Sequence, residues 1–334
     1  MATLRDISKY SGISISTISR VLNGNTNVSE ETRKKVLNAI KEFGYTRTDM
    51  LKNSSKKTIG VLIPNVRGQH YNLIADGIEK QLLEQNYEMF LTTTNSLLKK
   101  EIAILDELLL RKVDGIIICT SKEDDNYIEK LINSAIPVVV VDRKDSEIQI
   151  DSVSIDNYNS GIRSVEYLYS MGHRKILFIT GDPGIYSFSE RRKAFIDYSY
   201  KKKDLEIYFE TGGYSAEHGY KATKKYLENR KLDVTAIFYT NDWQAMGGIK
   251  CLHDHGIKIP KEISVMGFDD DFYSSYIFPA LTTMAQPRTE IGINAASLLI
   301  ERIEHRCKSK VKRKILLPTE LTERESVLNI SSGK

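Results

Sequence analysis

Apolar residues recur at helical spacing in three short segments at the start of the chain. In the first two segments these residues are Leu4, Ile7 and Tyr10, followed by Ile18, Val21 and Leu22. A tight turn at residues 11–13 separates them, with glycine at its centre. Two short amphipathic helices around such a turn are typical of a helix-turn-helix unit.

Capping residues mark where these helices begin and end. Thr3 with Asp6 reads as a capping box for the first helix, and Ser14 caps the second. Ser29 caps a third helix, which Gly44 ends. Its predicted buried stripe is Val36, Leu37, Ile40 and Phe43. Three such helices predict a compact helical domain, although spacing alone also fits other small bundles.

The outer side of the second helix carries small hydroxyl groups and one guanidinium. Its residues are Ile15, Ser16, Thr17, Ser19 and Arg20. Short side chains let a helix approach a duplex closely, so this face suits a DNA major groove. The alternative for Ile15 is partial burial against the first helix.

Basic charge is concentrated at the start of the chain. Residues 1–57 hold eleven Lys and Arg against five Asp and Glu, a net charge of +6, whereas the whole chain carries +4. The remaining residues therefore sum to −2. A positive excess in this segment supports contact with phosphates.

From Thr58 onward, short apolar runs alternate with amphipathic segments, a pattern that predicts parallel sheets flanked by helices. The predicted strands are 58–63, 89–92, 113–119, 137–141, 175–180, 235–239 and 263–268. Neither a dinucleotide nor a P-loop glycine fingerprint is present, which favours ligand binding over nucleotide hydrolysis. Residues 181–184 read as a strand-to-helix turn.

Length and composition limit the classes to which the protein can belong. The 334 residues suggest about two domains, and 41% apolar content is enough for a packed core. No apolar run is long enough to cross a bilayer and no secretory signal is recognisable, so we expect a cytoplasmic protein. Three widely spaced cysteines predict neither a disulfide framework nor a zinc site.

The N-terminal segment resembles the lac repressor and galactose repressor family of bacterial transcription factors. The matching residues are Asp6, 11–14, 17–23 and 28–32. The resemblance implies base reading by Ile15, Ser16 and Arg20, and phosphate or backbone contacts by Thr17, Ser19 and Asn23. Arg20 could pair with a guanine edge, whereas Ile15 offers only apolar contact.

The same resemblance continues along the chain through seven further motifs. They are 59–61, 113–115, 137–143, 156–158, 172–174, 241–242 and 267–270. The resemblance implies an all-α helix-turn-helix domain followed by an α/β periplasmic-binding-protein-like core of two Rossmann-like subdomains. We therefore expect DNA binding by residues 1–46, a hinge at 47–57, and effector binding and dimerisation by 58–334. With no heptad run after Ser326, we expect a homodimer.

Polar residues follow three of the predicted strands. Asp142, Asn241 and Asp269 each end an apolar run, and ligands favour the carboxyl ends of parallel strands. The resemblance adds Arg191, Gln286, Tyr71 and Tyr214 as effector contacts. The alternatives are helix capping for the carboxylates at the strand ends and simple packing at a loop entrance for Tyr71. The acidic run 269–271 lacks the further oxygens of a metal site, so we expect no metal and no cofactor.

The chain departs from the family pattern between the third helix and the first strand. The usual Pro-Asn pair is absent, and the linker is about three residues short. If the gap lies early, Leu51 is the wedge that the family inserts into the operator minor groove; otherwise Ser54 occupies that position and cannot intercalate. We favour Leu51. Residues 68–71 also differ from the family pattern, which weakens inference about the ligand.

These features predict a transcriptional regulator that binds a near-palindromic operator, acts as a repressor, and responds to a carbohydrate effector. A nucleobase effector remains open, as does a degenerate pocket controlled by a protein co-repressor. A solute receptor for transport is less consistent with the basic N-terminal segment. No catalytic constellation stands out, and His70, His218, His253, His255 and His305 fit surface or loop positions, so an enzyme is not expected.

Overall fold

The computed structural model describes residues 4–22, 28–43, 57–119, 136–143, 149–229, 233–304 and 311–331. The chain divides into two compact units, Met1–Lys57 and Thr58–Lys334. Asn23, Leu51 and the alternative wedge Ser54 lie outside the described residues, as do Thr3 and Gly44.

The described residues of the first unit form three helices, α1 (Leu4–Ser11), α2 (Ile15–Leu22) and α3 (Glu30–Glu42). The predicted caps of α2 and α3 are confirmed, since Thr17 N donates to Ser14 Oγ at 3.2 Å and Thr32 N donates to Ser29 Oγ at 3.3 Å. Gly12, in the turn between α1 and α2, has a φ of 67°, a backbone conformation that favours glycine. The buried core of the unit is Ile7, Ile18, Val21, Val36 and Ala39.

The predicted apolar stripes are wrong at their margins. Tyr10, Leu37 and Phe43 are 57%, 49% and 36% exposed. The inner line of α3 runs through Val36 and Ala39, and Leu37 lies about 100° around the helix from Val36, so three short helices cannot enclose it. The Tyr10 ring instead packs edge-on against Phe43, with ring centroids 5.2 Å apart.

The second unit contains two six-stranded sheets with helices around them. Its strands are β1 (Lys57–Ile63), β2 (Tyr87–Thr93), β3 (Gly115–Cys119), β4 (Val138–Val141), β5 (Asp151–Ile155), β6 (Lys175–Thr180), β7 (Glu206–Thr211), β8 (Ala236–Tyr239), β9 (Ser264–Asp269), β10 (Thr282–Ala285), β11 (Lys314–Leu317) and β12 (Glu320–Thr322). Its α-helices are α4 (Gln69–Glu84), α5 (Leu98–Arg111), α6 (Asn157–Ser170), α7 (Tyr186–Lys201), α8 (Ala216–Asn229), α9 (Asp242–Asp254) and α10 (Arg288–Ile303). Among the described residues, none of the helices has the length and apolar content that a membrane span requires.

The strand orders are β11-β5-β4-β3-β1-β2 and β12-β10-β9-β8-β6-β7. Every recorded pairing is parallel except that of β10 with β12. All seven predicted strands are present, with ends within two residues of the prediction. The predicted strands do not include β5, β7, β10, β11 and β12. Among these, β7, β11 and β12 lie at sheet edges, where side chains need not be apolar.

The chain passes between the two sheets three times, which confirms the two-subdomain core that the family resemblance implied. The crossings follow β5, β10 and β11. Thr319, in the third crossing, shares a 2.9 Å hydrogen bond with Ser160 Oγ and accepts one from Arg163 Nη1. These contacts link the third crossing to α6.

Candidate functional site

A cavity of about 130 Å³ lies between the two subdomains of the second unit. The seven residues that the sequence predicts as effector contacts all line it: Tyr71, Asp142, Arg191, Tyr214, Asn241, Asp269 and Gln286. They come from both subdomains and from the second crossing. These side chains therefore meet where ligands are expected to bind, at the carboxyl ends of parallel strands.

Asp142 follows β4 directly and is only 8% exposed. Its Oδ2 lies 2.7 Å from His70 Nε2 at the start of α4. Asp142 has a φ of 56°, a strained backbone conformation for a residue with a side chain. The strand end, the strained backbone and the histidine together hold this carboxylate at the cavity wall.

Asp269 ends β9 and is also 8% exposed, with a φ of 121°. Its Oδ1 accepts a hydrogen bond of 2.5 Å from Gln286 Nε2 in the second crossing. Burial raises the pKa of Asp269, whereas His70 and Arg191 act against that rise. A buried carboxylate of this kind gains stability from any further hydrogen-bond donor that enters the cavity.

Arg191 projects from α7 and is 3% exposed. Its Nε donates to Asn157 Oδ1 at 3.0 Å, and its Nη1 donates to the Thr240 backbone oxygen at 2.5 Å. The guanidinium carbon lies 3.5 Å from the centre of the Phe268 ring. Burial lowers the pKa of Arg191 to about 10, and nearby Asp269 and Asp142 oppose the change. The side chain is therefore rigid and remains a cation at neutral pH.

Asn241 lines the cavity, but its polar atoms are already engaged. Its Oδ1 accepts from Gln244 N at 2.7 Å, which caps α9, and its Nδ2 donates to the Tyr214 backbone oxygen at 3.1 Å. Asn241 therefore caps α9, and one of its two Nδ2 hydrogens is not used by these contacts. Tyr214 is 40% exposed, and its ring lies 6.3 Å from the Trp243 ring.

The acidic run 269–271 is divided among different partners. Asp270 Oδ1 accepts from Arg324 Nη2 at 2.7 Å, and Asp271 Oδ1 accepts from Arg288 Nη1 at 2.7 Å. The adjacent Asp242 is fully buried and accepts from the hydroxyls of Thr283 and Ser274 and from the Asp271 backbone N–H. These contacts bind the loop after β9 to the start of α9.

Several lining residues were missed by the sequence analysis. His70 was assigned to a surface or loop position, which is wrong, because its side chain is 22% exposed and pairs with Asp142. Trp243, the single tryptophan, lines the cavity from α9, and Phe188 lines it from α7. Gln69 Oε1 accepts from Phe272 N at 2.8 Å, linking α4 to the other subdomain. Of these, only Trp243 carried a sequence signal, since it stands two residues after Asn241.

In the first unit, the predicted outer face of α2 is accessible. Ile15 is 41% exposed, so the structure does not favour its burial against α1. Ser16 and Arg20 are exposed, whereas Thr17 and Ser19 are half-buried. The hydroxyls of Ser16 and Thr17 each lie 2.9 Å from Ser14 Oγ, which orients them at the start of the helix.

Comparisons with known proteins agree with this arrangement. Residues 3–48 match the model for bacterial regulatory proteins of the lacI family, and residues 165–327 match the model for a periplasmic binding protein-like domain. Catabolite control protein A of Priestia megaterium is 33% identical over 305 residues, which span 89% of this chain and 91% of that protein.

Solved structures show the same architecture. A lac repressor dimer bound to operator and the anti-inducer ONPF is similar with a TM-score of 0.78 and 26% identity, covering 98% of this chain and 99% of that chain. A LacI family regulator of Enterococcus faecium with bound ribose has a TM-score of 0.71 and 31% identity, covering 82% of this chain and all of the other.

A helix-turn-helix unit joined to a two-subdomain binding core defines a DNA-binding transcriptional regulator with an effector cleft, rather than an enzyme. The chain belongs to the LacI family of bacterial regulatory proteins. The predicted fold class and family are thereby confirmed.

Proposed function

We propose that this protein is a homodimeric repressor whose affinity for operator DNA is controlled by a sugar bound in the cleft. The observation that carries the proposal is the convergence of seven predicted side chains, from separate strands and helices, on one cavity. The similarity to a ribose-bound regulator and to an operator-bound repressor dimer supports it. We place the protein in the cytoplasm, where a transcriptional regulator meets its DNA.

In this proposal, residues 1–46 bind DNA, 47–57 form the hinge, and 58–334 bind the effector and dimerise. The proposed DNA contacts are Ile15, Ser16, Thr17, Ser19, Arg20, Asn23 and Leu51. Arg20 is exposed on α2, so its guanidinium is accessible for a bidentate pair with a guanine edge. Leu51 is the proposed wedge in the minor groove.

The proposed effector contacts are Tyr71, Asp142, Arg191, Tyr214, Asn241, Asp269 and Gln286. Asp142 and Asp269 accept from sugar hydroxyls, and Arg191 donates through hydrogens that Asn157 and Thr240 do not use. Tyr71 and Tyr214 pack against the apolar face of the sugar ring. A ligand that contacts both subdomains stabilises one relative orientation of them, and a coupling of about 1 to 3 kcal/mol changes DNA affinity 5- to 150-fold.

A gel-shift titration of the full chain on its own promoter DNA, with and without a panel of sugars, tests the proposal. We expect a salt-dependent complex whose affinity at least one sugar alters. Arg20→Ala is expected to weaken the complex about 5- to 100-fold. Lys221→Ala, which removes an exposed cation from the second unit, is the control and is expected to leave the affinity unchanged. Equal binding by wild type and Arg20→Ala, or a failure to shift promoter DNA, would contradict the proposal.

A further inference from the structure

The single tryptophan of the chain lies at the border of the cavity. Trp243 is the second residue of α9, is half-buried, and lines the cavity from the subdomain that contains β9. Its ring centre lies 6.3 Å from that of Tyr214, a second lining residue, and the two ring planes are inclined by 51°. Aromatic rings at this separation are in contact. The two rings therefore form a continuous aromatic border on this side of the cleft.

Gly68, which belongs to the other subdomain and precedes α4, faces the Trp243 ring. A methyl group on the Gly68 Cα would lie 3.5 Å from Trp243 Cζ3 and 3.7 Å from Trp243 Cε3. Carbon atoms in van der Waals contact are about 3.5 to 4.0 Å apart. The gap between the Gly68 backbone and the tryptophan ring therefore has room for one methyl group, which is less than a sugar ring needs. The cleft is closed at this point.

The residue after Gly68 holds the same turn against the opposite subdomain. Gln69 Oε1 accepts a hydrogen bond of 2.8 Å from Phe272 N, in the segment that follows β9. Two consecutive residues at the start of α4 therefore lie against the other subdomain, one opposite a ring and one through a hydrogen bond. Because this hydrogen bond does not involve Trp243, loss of the tryptophan ring would open the gap at Gly68 without releasing α4.

The size of the cavity agrees with a short ligand. Its volume is about 130 Å³. A cavity of about 150 Å³ takes up one benzene ring, whereas drug-sized ligands occupy clefts of about 300 to 1,000 Å³. Gln286, in the second crossing, lines the cavity as well, so a longer ligand has to extend through the gap between the two subdomains. Trp243 and Gly68 face each other across that gap.

We propose that Trp243 is a size-determining residue, whose ring opposite Gly68 admits a sugar of one ring and excludes sugars of two rings. It acts by occupying space, because the second ring of a disaccharide would overlap with its atoms. Trp243 has this role only if a sugar binds in the cleft, so the inference rests on the proposed function and adds the size of the effector to it.

Calorimetric titration of the full chain with matched pairs tests this role. The probes are D-glucose with cellobiose and maltose, D-galactose with lactose, and D-xylose with xylobiose, followed by a wider panel of monosaccharides and disaccharides. We expect a monosaccharide to bind, and its disaccharide to bind at least about tenfold more weakly. Emission from the single tryptophan reports occupancy independently. A disaccharide that binds as tightly as its monosaccharide, or more tightly, overturns the inference. This comparison needs no variant.

Variants on both sides of the gap add a second measurement. Trp243→Ala widens the gap, so we expect the Kd ratio of disaccharide to monosaccharide to fall at least about tenfold. Met246→Ala shortens another half-buried side chain of α9, outside the lining, and should leave the ratio unchanged. Gly68 has extended backbone angles (φ −111°, ψ 167°) that alanine also adopts, so Gly68→Ala narrows the gap and should give a ratio at least as high as wild type. An unchanged ratio in Trp243→Ala, or a lower ratio in Gly68→Ala, contradicts the assignment.

The outcomes separate this role of Trp243 from the proposed function. If disaccharides bind as tightly as monosaccharides, the size limit fails while control of the regulator by a sugar stands. If no sugar in the panel binds a chain that still shifts promoter DNA, both the size limit and the sugar assignment fail, and the DNA-binding part of the proposal is unaffected.

Discussion

Substituting Asp242 with asparagine should change how the stability of the second unit depends on pH. Asp242 is fully buried at the start of α9. Its Oδ1 accepts from Thr283 Oγ1 at 2.7 Å, and its Oδ2 accepts from Ser274 Oγ at 2.7 Å and from Asp271 N at 2.8 Å. Burial raises the pKa of Asp242 to about 7, and nearby Asp269 adds to the rise. Asp242→Asn keeps the shape and removes the titration.

The size of the effect follows from proton linkage. Between the ordinary carboxyl pKa of 3.8 and the native value of about 7, the folded protein holds a proton on Asp242 that the unfolded chain has released. The stabilisation from this group is therefore complete below pH 3.8 and is lost as pH rises toward 7, at up to about 1.4 kcal/mol per pH unit. From pH 5 to pH 7 the loss is about 2 kcal/mol.

The buried His173 changes the pH dependence of stability in the opposite direction to Asp242 over part of this pH range. It is 1% exposed and its Nδ1 lies 2.9 Å from Thr235 Oγ1. Burial lowers its pKa from 6.5 to about 4, so the unfolded chain binds a proton there that the folded protein does not. Stability from His173 rises with pH between 4 and 6.5. The wild-type profile mixes both effects, and only the difference between variant and wild type isolates Asp242.

Urea unfolding of the full chain at pH 5, 6, 7 and 8 measures that difference. We expect the free energy of unfolding of Asp242→Asn, relative to wild type, to rise by about 2 kcal/mol from pH 5 to pH 7 and then to level off. Asp76→Asn, which changes an exposed carboxylate, should show a constant difference. A difference between Asp242→Asn and wild type that does not vary with pH would refute the argument.

Two further substitutions test the packing and the cavity. A Cβ at Gly77 in α4 would clash with the Thr289 backbone oxygen at the start of α10. Gly77→Ala is therefore expected to lower the free energy of unfolding of the second unit by about 1 to 3 kcal/mol in urea, whereas the control Asp76→Ala should not show this loss. Unaltered stability of Gly77→Ala would show that these two helices are not in close contact. Arg191→Met leaves Asp142 and Asp269 without their buried cation. We expect it to lower the free energy of unfolding by about 3 to 5 kcal/mol and to abolish sugar binding in calorimetry. If the variant bound sugar with the wild-type Kd, Arg191 would not be an effector contact.

Local sequence patterns predicted most of the secondary structure. Helices α2 and α3 carry their own capping serines, and interior strands such as β3, β4 and β8 are continuous apolar runs, so both signals lie within a few residues. The edge strand β7 has only three central apolar or aromatic residues between polar ends, and those three are half-buried, so its apolar run is too short to stand out in the sequence. The interior strand β5 begins with Asp151, which is buried because Arg302 holds it at 2.8 Å. That pairing joins residues far apart in the chain and has no local signal.

The candidate site was predictable where strand ends alone determine position. Asp142 and Asp269 each end a buried run, and the topology brings both to one cavity. His70 was missed because its role depends on a contact with Asp142, 72 residues away. For Asn241 the sequence could not distinguish a ligand contact from a helix cap, because a polar residue at a strand end suits both roles. Only the structure shows that its Oδ1 accepts a hydrogen bond from Gln244 N.

Reciprocal linkage tests the central claim, that one chain couples sugar binding to operator binding. The Kd of a sugar that binds should be measured by calorimetry with and without saturating operator DNA, and the Kd of the operator with and without saturating sugar. The account predicts that the two factors are equal and lie between about 5 and 150. A sugar that binds with the same Kd whether or not the operator is present would contradict it.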